Sequence, residues 1–365
     1  MLVVLFSAYS VHAVLRRYDI PGREGTVISW RENLSHAKIN SQEKYIDREI
    51  LNLMRQYEGD FVYIDETNLE ELVMLNYEVR SVQELSDEDI GSFYARRLEN
   101  IRAMLWENRQ ILYTQEEIAR FMQRAAQISE IPFGYAEGWK VLNDDLESYT
   151  ALLLILIAVL LLPLFGTDAK SDMSELYRSA RYGKRPLDHA RTLTAFFVGI
   201  FLYITGILLF FVICMAPFGL EGWNQGIQSN PKTFFSLYNI TNLQQFMLNI
   251  AVGFVALMFA ISLMVLITIV MEKMMTSAVI FVFFWILLLL FDQMYLWPVN
   301  HCFANFMPLR MTSYSHYYVG NEVYRILGVS LSCMAWSCIL VGLLAGMLLA
   351  AAILWERVKR KKGLY

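Results

Sequence analysis

Long apolar runs alternate with charged segments along this chain, and this pattern predicts membrane-spanning helices. A helix needs about 20 apolar residues to cross the roughly 30 Å hydrocarbon core of a bilayer. Five runs meet or approach that length: Tyr149–Phe165, Leu193–Pro217, Phe246–Met271, Thr276–Pro298 and Ile326–Trp355. We therefore predict an all-α polytopic membrane protein with about six transmembrane helices, counting a shorter apolar run at the start of the chain.

That shorter run covers residues 1–15. No basic residue precedes it and no small-residue cleavage motif follows it, so it lacks the pattern of a secretory signal peptide. We predict a first span whose cytoplasmic start is missing or lies upstream of the sequence.

Residues 16–148 show the periodicity of a polar helical domain between spans one and two. Ser86 before an acidic turn and Thr114 before Glu117 each predict a helix start, because their hydroxyls can cap free backbone amides. Apolar residues follow both caps at helical spacing, which predicts a helical hairpin or small bundle. One short strand is expected at 60–65. Residues 149–365 then form a five-helix transmembrane domain that includes a cytoplasmic loop at 166–192.

Charge separates the two parts of the chain and predicts the topology. Residues 16–148 hold 16 basic and 26 acidic side chains, which argues against nucleic acid as a partner. Basic residues collect instead in the 166–192 loop and in the C-terminal tail, and such loops usually face the cytoplasm. We expect a multi-pass protein of the cytoplasmic (plasma) membrane with both termini inside and residues 16–148 outside.

The chain lacks the motifs of zinc proteases, serine hydrolases, kinases and P-loop ATPases. We therefore predict no catalytic residue, no metal and no cofactor, and we interpret the four cysteines as small packing residues. One acidic residue, Asp292, falls within a predicted span. It is a candidate for a translocation path, because charge in lipid is costly and often functional, or it simply reaches the outer headgroups.

The segment after span two carries a family resemblance. The sequence "FGTDAKSDMSELYRSARYGKRPLDHARTLTAF" resembles the loop between spans two and three of type-2 ABC-transporter permeases of Gram-positive bacteria. The matching positions are Phe165, Asp168, Leu176, Ser179, Gly183, Lys184, Leu187 and Arg191. Two further stretches, "IPFGYAEGWKVL" and "FMPLRM", are similar to the lead-in to span two and to a stretch before the last span of such permeases.

The resemblance implies a permease subunit that performs no covalent chemistry and moves a substrate across the membrane. It implies a short coupling helix that docks in a groove of a separate cytoplasmic ABC ATPase, and a second permease copy or a related permease as partner. The expected coupling residues are Glu175, Leu176, Tyr177, Arg178, Arg181, Gly183 and Lys184. The spacing of apolar residues in "SDMSELYRSA" is consistent with one apolar helix face.

Other interpretations of the chain remain open at this stage. The 166–192 loop could be an ordinary basic loop held at lipid headgroups. The whole chain could be a membrane sensor whose acidic outer domain binds an extracellular ligand, or a polytopic membrane enzyme. The "GLLAG" stretch, Gly342–Gly346, fits either a helix bundle or a homodimer face.

Overall fold

The structure is a computed structural model. It describes residues 1–17, 27–39, 44–57, 64–107, 113–166, 184–271, 273–293, 304–320, 322–326 and 329–361. The chain divides into two compact units. Unit 1 comprises Met1–Leu146, Phe210–Leu248 and Ser315–Ser330, and unit 2 comprises Glu147–Leu209, Asn249–Tyr314 and Leu331–Tyr365. Unit 1 therefore includes three segments outside the predicted 16–148 domain, namely residues 1–15, 210–248 and 315–330.

Helices make up most of the described chain. They are α1 Leu2–Arg17, α2 Val27–Ile39, α3 Arg48–Gln56, α4 Ile64–Tyr77, α5 Asp87–Gly91, α6 Phe93–Glu107, α7 Gln115–Ala126, α8 Glu137–Leu161, α9 Pro163–Gly166, α10 Lys184–Phe218, α11 Asn242–Met271, α12 Met274–Gln293, α13 Pro308–Met311, α14 Tyr314–Val319 and α15 Cys333–Lys361. The described strands form two short two-stranded sheets: β1 Lys44–Tyr45 with β2 Pro132–Phe133, and β3 Val323–Ile326 with β4 Val329–Ser332. The predicted strand at 60–65 is wrong where it is described, because Ile64 and Asp65 begin α4.

Four described helices are long and apolar enough to cross a bilayer: Glu137–Phe165, Pro186–Phe218, Asn242–Met271 and Cys333–Lys359. The shorter apolar helices Leu2–Arg16 and Met274–Leu288 fall on predicted spans one and five. A predominantly helical membrane protein is thus confirmed, whereas the count of six spans and the outside location of residues 16–148 stay predictions.

The last predicted span began too early. Residues Val323–Ile326 and Val329–Ser332 are strands, and the helix begins only at Cys333. Short apolar runs rich in β-branched residues suit a strand as well as a buried helix, so hydropathy alone could not place this boundary.

Helix α8 begins twelve residues before the predicted start of span two, and its added turns are polar. The Lys140 ammonium donates to Asn68 Oδ1 at 2.6 Å and lies 3.7 Å from a Glu71 carboxylate oxygen. The Asn68 amide in turn donates to Glu137 Oε2 at 3.0 Å. These contacts join the start of α8 to α4 within unit 1. They give the charged residues of α8 partners, which a hydropathy pattern cannot anticipate.

The predicted helix starts at Ser86 and Thr114 are confirmed. Each hydroxyl accepts from the backbone amide three residues on, and the side chain of that third residue accepts from the backbone amide of the cap. The apolar stripes after both caps enter two hydrophobic clusters of unit 1. Phe234 and Leu237 join these clusters, although the sequence placed both in a plain loop between spans.

A buried cation fastens that loop to α6. The Arg97 guanidinium is 1% exposed and donates to the carbonyls of Phe234 and Ser236, each at 3.0 Å. Its charge also lies 5.5 Å from the centre of the Phe234 ring, within the range of a cation–π interaction. Burial lowers the pKa of Arg97 to about 10, so the group remains charged at neutral pH.

We expect Arg97→Ala to destabilise unit 1 by about 2–4 kcal/mol, because two buried carbonyls lose charged donors. Arg96→Ala is the matched control, since Arg96 lies next to Arg97 on α6 but is partly exposed and pairs with Glu99. Hydrogen exchange of the full-length chain in lipid nanodiscs should show faster exchange in residues 93–107 and 227–240 for the Arg97 variant alone. Equal exchange in both variants would contradict the role assigned to Arg97.

An ion pair joins α7 to β3 in unit 1. The Arg325 guanidinium donates from Nε to Glu117 Oε1 at 2.9 Å and from Nη2 to the other carboxylate oxygen. Glu117 also accepts from the Thr114 backbone amide at 2.9 Å. The hydrogen bonds from Arg325, followed by those from Thr114, hold the pKa of Glu117 at about 2, below its ordinary 4.5.

A depressed pKa stabilises the folded state above the unfolded pKa, and this contribution is lost as pH falls from about 4.5 towards 2. We expect Glu117→Gln to lower the apparent melting temperature at pH 7, where wild type keeps the full ion pair. The difference between wild type and variant should shrink through that acidic window. Differential scanning fluorimetry of the full chain from pH 7 to pH 2 measures it. A difference that does not change with pH would rule out this linkage.

Candidate functional site

A cluster of buried hydroxyl groups lies among the helices of unit 2. Tyr149 on α8 donates its hydroxyl to the Gly206 carbonyl of α10 at 2.6 Å. Tyr203 on α10 donates to the Ile250 carbonyl of α11 at 2.9 Å. Both tyrosines are almost fully buried. The two bonds therefore connect three candidate spans in sequence, each through a phenol aimed at a helix backbone.

Gly253 on α11 is where further hydroxyls converge. A Cβ at this position would lie 2.5 Å from Tyr203 Oη, 2.6 Å from Tyr314 Oη and 3.1 Å from Thr150 Cγ2. Real side chains do not approach so closely, so the cluster needs a residue without a side chain here.

Two hydroxyls of this cluster, those of Tyr314 and Thr150, are buried without a completed hydrogen bond among the described residues. Thr150 lies close enough to lower the pKa of the Tyr314 phenol, but burial is the larger effect and raises that pKa overall. The phenol is therefore neutral at physiological pH. Leaving a buried hydroxyl unsatisfied costs about 1–3 kcal/mol, so these groups favour water or a polar ligand as partner.

The chemistry of this hydroxyl cluster suits binding. Neutral phenols and a threonine hydroxyl can donate to and accept from carbonyls, hydroxyls and water. Apolar side chains such as Leu153 and Ile207 are buried in the same helices. An apolar surrounding with a few convergent polar groups is the usual composition of a small-molecule site.

Most of the residues predicted from the sequence to couple to an ATPase lie outside the described part of the chain. These are Glu175, Leu176, Tyr177, Arg178, Arg181 and Gly183. Lys184 is described as the first residue of α10. Asp292 lies in the last turn of α12, and only its place in the helix is described.

The hydroxyl cluster was missed by the sequence analysis. Tyrosine and threonine occur throughout apolar segments, and neither type carries the charge that drew attention to Asp292. The available signal was Gly253 in an apolar run, because glycine in a spanning helix often marks a close approach. Its partners on α8, α10 and α14 are distant in sequence, so the fold was needed to bring them together.

No protein-family model, curated protein or solved structure matches this chain.

We expect Gly253→Ala to displace the hydroxyls of Tyr203 and Tyr314 and to destabilise the folded chain by about 1–3 kcal/mol, as overpacking usually does. Gly342→Ala is the matched control, because nothing lies within 4 Å of a Cβ at Gly342 on α15. Thermal unfolding in detergent micelles, followed by tryptophan fluorescence, measures both. Equal midpoints for the two variants would contradict the close approach at Gly253.

Proposed function

We propose that this chain is the membrane subunit of an ATP-driven transporter of the type-2 ABC permease kind. The substrate would pass through the membrane part, and ATP hydrolysis would take place on a separate cytoplasmic subunit. A second permease chain would complete the transporter. The proposal starts from the resemblance of the loop after span two and is supported by the architecture of α10.

The observation that carries the proposal is the continuity of α10. This helix runs for 35 residues from Lys184, the last residue of the predicted coupling segment. Pro186 lies in its first turn and Pro217 in its last, where proline is tolerated, so no proline interrupts the helix between them. Tyr203 stands 19 residues after Lys184, which is about 28 Å along the helix axis.

This geometry supports mechanical coupling. An α-helix is stiff over such a length, so a displacement at its first turn moves the remainder with it. Tyr203 then shifts against the Ile250 carbonyl and Gly253, which are its contacts on α11. A push on the coupling segment would thereby alter the hydroxyl cluster without any covalent step.

The hydroxyl cluster is proposed to line the path of the substrate. Its buried phenols and the Thr150 hydroxyl offer neutral hydrogen-bonding groups inside an apolar bundle. A polar molecule crossing the unit needs such groups to replace lost water. Asp292 stays a second candidate for the path, from its sequence position alone.

We expect Leu176→Asp combined with Tyr177→Asp to abolish the copurification of an ABC ATPase with the tagged chain from its native membranes. A charge on the apolar face of the predicted coupling helix opposes burial in a groove. Vanadate-sensitive ATP hydrolysis and peptide identification of the bound subunit are the readouts. Ser174→Asp adds a single negative charge at a polar position of that segment and should leave the complex intact.

The proposal also requires that the coupling segment faces the cytoplasm. A cysteine placed at Tyr177 should react with a membrane-impermeant maleimide only after cells are opened. Labelling of Tyr177→Cys from outside intact cells would show that this segment faces the outside, and it would contradict the proposal. An intact ATPase complex in the double aspartate variant would remove the docking role of Leu176 and Tyr177.

The sensor hypothesis makes the opposite prediction for these measurements. A sensor needs no nucleotide-hydrolysing partner, so its purification should yield no vanadate-sensitive ATPase in wild type.

A further inference from the structure

A cavity of about 340 Å³ opens between α10, α11 and α15 within unit 2. It is separate from the hydroxyl cluster around Gly253, with which it shares no residue. Its volume falls at the lower end of the range of small-molecule sites, and it exceeds the space of a single water molecule about tenfold.

The lining of this cavity is divided by polarity along the helices. The apolar residues come from the parts of the helices deeper in the spans: Leu193, Phe196, Val265, Leu349 and Ile353 are examples. The polar residues His189, Thr192 and Glu356 lie nearer the helix ends. From His189 to Phe196, and from Leu349 to Glu356, the distance along each helix axis is about 10 Å. The cavity is therefore an apolar recess with a polar mouth.

Glu356 gives the mouth a buried acceptor. The residue is 6% exposed, and its side chain lines the cavity. A carboxylate has about four acceptor positions, so it can accept from a ligand as well as from the protein. A buried carboxylate that gains a charged donor is stabilised, because burial has removed most of its contact with water.

A basic group stands beside the same mouth. Lys359 donates from Nζ to the Ile269 carbonyl at 3.3 Å, and Ile269 itself lines the cavity. A head group that carries both a cation and an anion would find a carboxylate in the mouth and a cation next to it. A purely anionic head group would meet Glu356 unfavourably.

We propose that this cavity binds one acyl chain of a membrane phospholipid whose head group carries an amine, with the ammonium facing Glu356 and the chain in the apolar recess. The surrounding helices are candidate spans, so lipid is the amphiphile present at the highest concentration around them. The inference stands independently of the transport proposal, because it uses neither an ATPase nor a moving helix.

Photocrosslinking in nanodiscs tests the proposal on the full-length chain. The probe is phosphatidylethanolamine with a diazirine in its acyl chain, and labelled peptides are mapped by mass spectrometry. Exposed Met347 on α15 reports ordinary surface lipid. We expect labelling at Phe196 and Ile353 to exceed labelling at Met347, although Phe196 and Ile353 are less exposed.

A pair of neighbouring alanines on α15 supplies the matched variants. Ala352 is buried and lines the cavity, whereas Ala351 is exposed. Ala352→Phe should fill the recess and lower labelling of Phe196 about tenfold, the change that corresponds to 1.4 kcal/mol of binding. Ala351→Phe should leave labelling unchanged. If the Ala352→Phe variant does not fold, Ala352→Val fills less of the recess and should give an intermediate loss of labelling at Phe196.

The head group is tested by competition. Unlabelled phosphatidylethanolamine should displace the probe better than unlabelled phosphatidylglycerol, and Glu356→Gln should remove this preference while chain labelling persists. Equal competition by both lipids in wild type would overturn the role of the amine. If labelling at Phe196 is unchanged by Ala352→Phe and is no stronger than labelling at Met347, the cavity is not a lipid site.

Discussion

Inside the hydrocarbon core of a bilayer, a buried hydroxyl without a partner is costly, so the acceptors that the protein supplies decide where such groups can lie. In unit 2, two tyrosine hydroxyls donate to helix carbonyls. Tyr149 reaches Gly206 and Tyr203 reaches Ile250, and each carbonyl uses a second lone pair for the purpose. The bonds form only at close helix approach, which the absence of a side chain at Gly253 permits. The packing of α8, α10 and α11 depends on these contacts.

Unit 1 contains two arginines whose charges are stabilised by different kinds of contact. The buried Arg97 guanidinium donates from Nε and Nη2 to backbone carbonyls and lies beside an aromatic ring, whereas its Nη1 has no hydrogen-bond partner among the described residues. Arg325 is half exposed and pairs with the Glu117 carboxylate. Both arginines connect residues that lie far apart in the chain. They turn segments that look like plain connections between spans into parts of a compact unit.

Helix α10 carries several features in a fixed order. The predicted coupling segment ends at Lys184, the cavity proposed to bind lipid involves residues 189–196, and Tyr203 belongs to the hydroxyl cluster. Because all three share one helix, a lipid held in the cavity would resist displacement of the same element that the proposed ATPase drives. The bilayer would then influence the energy of transport through a single structural element.

The sequence by itself determined the membrane class, four candidate spans and two helix caps, because hydropathy and capping depend on residues close together in the chain. The caps at Ser86 and Thr114 involve side chains three residues apart, and the spans are uninterrupted apolar runs. The helix boundaries were harder to predict from the sequence. Hydropathy placed the start of span two at Tyr149, because the partners of Glu137 and Lys140 on α4 could not be known from the sequence. The last span was predicted to start before Cys333, because the apolar strands that precede this residue resemble the start of a spanning helix in hydropathy.

Only the tertiary structure decided where the candidate sites lie. The hydroxyl cluster joins Thr150, Tyr203, Gly253 and Tyr314, and the cavity joins Phe196, Val265 and Ala352. Neither set has a spacing that a sequence motif could express, because each helix contributes one or two residues to a shared contact. Neutral hydroxyls and aliphatic side chains also carry no local signature of their role. Their function depends on which helices pack together, and that is set by long-range contacts rather than by local periodicity.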